Sequence, residues 1–260
     1  MRNKKNLAQY FLKNQKIQQR IAETINKSNY ETIVEIGPGC GQITQYIDRI
    51  NKEYIGIELD SKLSSYLISK FSDLKIVNKD FLKISIEELN TNGKEILLFG
   101  NIPYYISTQI FFKFLELELF KEAYFTVQKE FFETVNASFN TKHYSSLSVL
   151  FQTFCETKRL FDIGRLNFFP KPNVDSTFLS LKKKYQPNEQ LLKDYSVFVK
   201  NCFARPRKIL LNSPLFEKFS DSIKKSLIEK NLITKNTRIS ELSPNQILEL
   251  FKTLKELSIL

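Results

Sequence analysis

Asn101-Ile102-Pro103-Tyr104 places an amide, a stiff backbone and a phenol ring side by side. That set suits one demanding reaction, substitution at the exocyclic N6 of an adenine. The N6 lone pair is delocalised into the ring, so it is a poor nucleophile. Two acceptors facing the amino hydrogens would take it out of conjugation and aim it at an electrophilic sulfonium methyl. The side-chain oxygen of Asn101 and a backbone carbonyl near Ile102 are candidates for those acceptors. Pro103 stiffens the loop and so helps hold a near-attack geometry. Tyr104 offers a face on which a base stacks. The amine attacks in line and loses its proton afterwards, so no strong general base is required, which fits a chain with the single histidine His143. The same residues also suit an Asn-Pro turn closing a strand.

A nucleoside-type cofactor has a matching site upstream. Glu35-Ile36-Gly37-Pro38-Gly39-Cys40-Gly41 follows an apolar run and precedes a helical one. Glycines here let the backbone turn sharply and approach a ligand. The spacing is G-x-G-x-G; a dinucleotide fingerprint would need glycine where Gln42 stands, so a nicotinamide cofactor is disfavoured. Glu58 lies 21 residues after Gly37, where an acid ending the second strand can hold both ribose hydroxyls. Asp80 follows the third strand and can accept from an adenine amino group, with Phe81 packed on the ring. Each has a plainer reading: a glycine turn without a ligand, a surface-loop aspartate. Their shared position at carboxyl ends of successive strands favours a ligand, because open α/β sheets bind there.

A second aromatic cluster lies at Phe168-Phe169-Pro170-Lys171-Pro172-Asn173-Val174-Asp175. One Phe of this rigid loop could sandwich a base opposite Tyr104. Composition alone favours a Pro-rich connection with its Phe in the core.

These residues need a sheet to position them. Thr32–Ile36, Tyr54–Leu59, Lys75–Asn78, Glu95–Phe99, Ala123–Gln128, Leu147–Phe154 and Ser176–Leu181 read as strands. Lys16–Ile25, with Ile17, Ile21 and Ile25 on one stripe, and Ser107–Leu119 read as helices. The alternation argues for a parallel, doubly wound α/β sheet. After Lys182-Lys183-Lys184 the pattern changes to helical stripes, Leu191 to Phe203 and Ile247 to Leu257. The expected division is a catalytic domain over 1–184 and a small helical domain over 185–260. No internal repeat or low-complexity segment interrupts either.

The formal charge is +11 and the pI about 9.4. Such a balance attracts polyanions, nucleic acid or an anionic membrane. Residues 184–260 carry 14 basic and 8 acidic side chains, net +6, against 25 and 20, net +5, for residues 1–183. The shorter tail is thus the more densely basic part. Cys40, Cys155 and Cys202 form no CxxC, which argues against a Cys/His zinc site, and their odd number suggests free thiols in a reducing compartment. The basic Met1-Arg2-Asn3-Lys4-Lys5 is followed by no apolar leader, and no stretch approaches membrane-spanning length. A soluble, cytoplasmic protein without a membrane partner or resident metal is expected.

With these motifs in place, the chain resembles the KsgA/RsmA family of small-subunit rRNA adenine N6,N6-dimethyltransferases, and their relatives, the Erm enzymes of large-subunit rRNA. The similarity runs over nearly the whole chain. Ala8-Gln9-Tyr10-Phe11-Leu12 resembles the family's segment over the cofactor. Glu35–Gly41, Glu58, Asp80 and Asn101–Tyr104 fall on its cofactor and catalytic motifs. Gln128-Lys129-Glu130, Tyr144 and Leu147-Ser148-Val149 resemble the run after strand five. Phe168-x-Pro170-x-Pro172 and Val174-Asp175-Ser176 resemble its F-x-P-x-P-x-V-D-S loop. Phe203-Ala204-Arg205-Pro206-Arg207-Lys208, Asn212-Ser213 and Arg238-x-x-Glu241-Leu242-Ser243 resemble its tail.

The resemblance implies a class I, Rossmann-like S-adenosylmethionine-dependent methyltransferase sheet with a C-terminal helical RNA-binding domain. It implies dimethylation of two adjacent adenines near the 3′ end of 16S rRNA, on an immature 30S particle, by a monomer. Asn101, Pro103, Tyr104 and Phe168 would be catalytic, Phe168 as the stacking ring. Tyr10, Leu12, Gly37, Gly39, Glu58, Asp80, Phe81 and Asn101 would hold the cofactor. Arg205, Arg207 and Lys208 would meet RNA phosphates. Three positions depart from the pattern: Tyr10 where His or Asn is usual, Tyr105 for the Asn after the N-I-P-Y run, and Pro206 for the first Arg of R-R-K. Alternatives are an Erm-type 23S enzyme, a non-catalytic rRNA-binding assembly factor on the same fold, and a DNA adenine methyltransferase.

Overall fold

The computed structural model describes residues 10–89 and 93–257. Ala8 and Gln9 of the proposed cofactor-covering segment lie outside the described residues, as does the basic Met1–Lys5 run. In chain order the elements are β1 (Phe11–Leu12), α1 (Gln15–Asn26), β2 (Thr32–Ile36), β3 (Glu53–Ile57), α2 (Ser61–Lys70), β4 (Lys75–Val77), α3 (Ile86–Leu89), β5 (Ile96–Asn101), α4 (Ser107–Glu116), β6 (Phe120–Gln128), α5 (Lys129–Val135), α6 (Ser146–Phe154), β7 (Cys155–Ile163), β8 (Phe168–Phe169), β9 (Ser176–Lys183), α7 (Glu189–Cys202), α8 (Asp221–Glu229) and α9 (Pro244–Glu256). No helix among the described residues is long and apolar enough to cross a membrane.

Seven strands form one sheet in the order β4-β3-β2-β5-β6-β9-β7. Neighbours from β4 to β6 are parallel, and β9 runs antiparallel to β6. β2 and the apolar part of β5 are buried along their length, as strands covered on both faces must be. The chain leaves β2 toward β3 and β4, then returns to β5 on its other side, so the switch point lies between β2 and β5. Register fixes what meets there. Ile36 pairs with both Ile57 and Gly100, which sets Gly37, Glu58 and Asn101 at one edge.

Local signals explain the flanking pieces. Asn14 caps α1 by accepting from Lys16 and Ile17, and Ile21 and Ile25 are buried on the inner stripe. Upstream, the Leu12 carbonyl accepts from Gln18 Nε2 at 2.6 Å. β1 pairs antiparallel with β8, Phe11 opposite Phe169 and Leu12 opposite Phe168.

Two compact units result. One comprises the chain up to Lys129 with Lys158–Lys183; the other comprises Glu130–Thr157 with the residues from Lys184 on. Sequence patterning had kept 130–157 within 1–184. In the second unit α6 packs with α7 and α9, and Tyr195 lies edge-on to both Phe154 and Phe251. Tyr144 donates its hydroxyl to the Leu242 carbonyl at 2.9 Å. Arg238, Glu241 and Ser243 cap the last turns: the Arg238 amide donates to Glu241, and Ser243 accepts from Gln246.

One strand assignment is corrected. Leu147–Phe154 is helix α6, begun by a Ser145/Ser148 capping box, and the sixth strand of the chain's main sheet is instead Cys155–Ile163. A short apolar run buried on all sides carries no period that separates strand from helix. The strand that follows it is mostly polar and exposed, so it lacked the apolar signal.

Candidate active site

The carboxyl ends of β2, β3, β4 and β5 open into one cleft of about 1080 Å³, its open mouth included. Tyr10, Leu12, Gly37, Gly39, Glu58, Asp80, Phe81, Asn101, Pro103 and Tyr104 all line it.

The glycine turn is shaped for close approach. Gly37 and Gly39 both have φ of +62°, and a Cβ on Gly37 would meet nothing within 4 Å. The backbone there faces open cleft, where a ligand can touch it. The Gly39 amide donates to Glu58 Oε2 at 3.0 Å, and the Asp60 amide donates to Oε1 at 2.9 Å. These two bonds fix the Glu58 carboxylate, which is 3 % exposed, and leave lone pairs for a further donor. Asp80 accepts from the Leu82 amide through Oδ1, while Phe81 is buried and tilts against Phe120 at 6.0 Å.

Asn101 ends β5. Its Nδ2 donates to the Tyr10 carbonyl at 2.6 Å, which directs Oδ1 away from that contact. No other residue described here bonds to Oδ1. Pro103, at φ −59°, starts the turn Tyr104–Ile106. The Tyr104 hydroxyl pairs with Ser176 Oγ at 2.7 Å, and burial pushes the phenol above its ordinary pKa. The Val174-Asp175-Ser176 motif is therefore tied directly to this ring. Asp175 also accepts from the Arg165 amide at 2.8 Å, bracing the loop. Tyr104 stacks on Tyr10, centroids 5.4 Å apart and planes at 29°.

Phe168 is not in the cleft. It is 1 % exposed and belongs to the core with Leu12, whereas Phe169 is 69 % exposed. Tyr105 lines the cleft mouth and is 58 % exposed. Arg205, Arg207 and Lys208 are exposed on the turn after α7 in the second unit.

One wall residue had not been singled out. Glu35, wholly buried, accepts on Oε2 from Thr44 and from Tyr54, each at 2.7 Å. Burial, with Glu58 nearby, pushes its pKa up to about 7. Its signal in the sequence was an acid inside the apolar strand T-I-V-E-I, immediately before the glycine turn.

A sequence profile of the ribosomal RNA adenine dimethylase family matches residues 1–256. The ribosomal RNA small subunit methyltransferase A of Chlorobium phaeobacteroides is 33% identical over 257 residues, covering 98% of this chain and 93% of its own. The crystal structure of a dimethyladenosine transferase from Plasmodium falciparum superposes with a TM-score of 0.78 at 25% identity, covering 96% of this chain and 98% of its own. That of the 23S rRNA methyltransferase ErmE gives 0.69 at 25% identity, covering 94% and 99%.

Proposed function

The chain belongs to the ribosomal RNA adenine dimethylase family, and from that membership we infer that it methylates N6 of adenines in small-subunit (16S) rRNA with S-adenosylmethionine. The observation that carries this reading is the single cleft joining the glycine turn, Glu58 and Asp80 to Asn101 and Tyr104. The small-subunit target rests on relatives such as the Chlorobium phaeobacteroides protein, named for that subunit and matching nearly end to end. It is favoured over an Erm-type 23S enzyme, a non-catalytic binding factor or a DNA methyltransferase. We further take two adjacent adenines near the 3′ end, in an immature 30S particle, as substrate, and a cytoplasmic monomer as the working form.

The residues present fit the cofactor. Open space over Gly37 admits it, Glu58 keeps lone pairs for ribose hydroxyls, and Asp80 has an oxygen for the adenine amine. Leu12 and the Tyr10 backbone close the cleft beside them. When bound, S-adenosylmethionine supplies an electrophilic methyl group. Asn101 Oδ1 then accepts one N6 hydrogen of the target adenine, and a carbonyl near Ile102 accepts the other. Pro103 holds both acceptors in place, and Tyr104, pinned by Ser176, sets the plane of the base. The amine's proton leaves to solvent after transfer, so the site needs no base stronger than an amide oxygen. Arg205, Arg207 and Lys208 are assigned to RNA phosphates. For Phe168 we assign support of the base site from the core, as the partner of Leu12 across the β1–β8 pair.

The test is transfer of labelled methyl to unmethylated small and large ribosomal subunits, followed by nucleoside analysis. N6,N6-dimethyladenosine in small-subunit rRNA is the expected product. Label confined to large-subunit rRNA would move the assignment to the Erm type, and no label in either would favour a binding factor.

A further inference from the structure

We propose that the Tyr10 ring occupies the seat of the target adenine, so that RNA must displace it before the base can stack on Tyr104. This rests on the methyltransferase reading above and concerns how its substrate enters. A base that is flipped into such a site needs an aromatic face. Tyr104 is the ring best placed for that, one turn beyond Asn101 and fixed at its hydroxyl by Ser176. Tyr10 already lies on it. Centroids 5.4 Å apart at 29° are in direct stacking contact, too close for a purine between them. Tyr10 and Tyr104 both face the cleft, so the contact is made on the side from which a base would be offered to Asn101.

Two further observations point the same way. The Asn101 amide is engaged by the backbone carbonyl of the same residue, Tyr10. The other ring expected near the base, Phe168, is buried with Leu12 as its β1–β8 partner. Tyr10 to Leu12 thus covers one candidate stacking ring and pairs with the other. Tyr10 is held by stacking, by its carbonyl's bond to Asn101 and by packing at the edge of the core, where it stays only partly buried, a contact small enough for RNA to exchange. In this arrangement Tyr10 is a positioning residue: it keeps the seat dry and ordered, and it selects for a substrate that can replace a phenol ring with a base.

The experiment compares the wild-type chain with Tyr10→Ala and Tyr10→Phe. The alanine variant keeps the backbone carbonyl that Asn101 uses, and the phenylalanine variant keeps the ring. Affinity for unmethylated small subunits is measured by filter binding without cofactor, and KM and kcat are measured with S-adenosylmethionine saturating. Removing the competing ring should tighten subunit binding and lower KM roughly two- to ten-fold, the scale of one aromatic pair, while Tyr10→Phe stays at the wild-type value. An alanine variant that binds subunits equally or more weakly than wild type would overturn the proposal; so would a Tyr10→Phe variant that behaves like alanine. Failure of the functional reading shows differently, as a wild-type chain that methylates no small subunit.

Discussion

The Tyr10 carbonyl accepts the Asn101 side-chain amide at 2.6 Å, across 91 positions of sequence. That bond decides which end of the amide is committed. Nδ2 is committed to the Tyr10 backbone, and Oδ1 is left as an acceptor at the strand end where the proposed reaction brings the target amine.

Asn101→Ala should therefore lower kcat about 100- to 1000-fold, the range for losing one preorganised polar group at a reacting centre. S-adenosylmethionine binding, measured calorimetrically, should largely survive. Normal turnover in this variant would remove Asn101 from the chemistry.

Glu58→Ala should act on the cofactor instead. Its carboxylate organises the Gly39 and Asp60 amides, and in the proposed function it accepts from the ribose hydroxyls. Loss of one charged hydrogen-bonding group corresponds to a roughly 10- to 100-fold weaker Kd for S-adenosylmethionine. An unchanged Kd would mean that the ribose is held elsewhere.

Tyr104→Phe keeps the stacking face and loses the Ser176 bond. A fall in unfolding free energy of about 1 kcal/mol is expected, with kcat within a few-fold of wild type. Ser176→Ala should cost a similar amount, and the double variant less than the sum. Strict additivity in denaturant titrations would show the hydroxyls to be uncoupled.

Glu35 ties stability to pH. Its carboxyl is raised from 4.5 to about 7 by burial, so between those values the folded chain binds a proton more tightly than the unfolded one. The stabilisation is full below about pH 4.5 and is lost as pH rises through about 7. Glu35→Gln should flatten this slope and leave the protein relatively more stable at pH 8. Parallel stability curves for the two proteins from pH 5 to 8 would contradict the assignment.

Charge removal at Arg207 and Lys208 tests the RNA surface. Two phosphate contacts correspond to a change of roughly 1.4 to 1.8 in the slope of log K against log salt. A slope equal to wild type would take this turn out of the RNA footprint.

The common placement of Gly37, Glu58, Asp80 and Asn101 in one cleft was readable from sequence because each lies at or just after the end of a strand-like run, and parallel strands deliver their carboxyl ends to one place. Phe168 and Phe169 show where such reading stops. Adjacent residues of an extended segment face opposite sides, and nothing in F-F-P-K-P says which ring is inward. The partner that decides it, β1, lies some 150 residues away. Glu35 was hidden for a related reason: its partners Thr44 and Tyr54 come from separate elements, and only folding turns an odd acid in a strand into a satisfied one. The membership of 130–157 in the second unit rests on α6 contacts that no local pattern encodes.

The Tyr10–Tyr104 stack has an optical consequence. With 11 tyrosines and no tryptophan, the chain's near-ultraviolet spectrum beyond the phenylalanine band belongs to its phenols. Two rings held face to face couple their transitions, and parting them changes the dichroism in that band. The protein thus carries an unlabelled reporter at its own catalytic mouth, legible while cofactor or RNA is added.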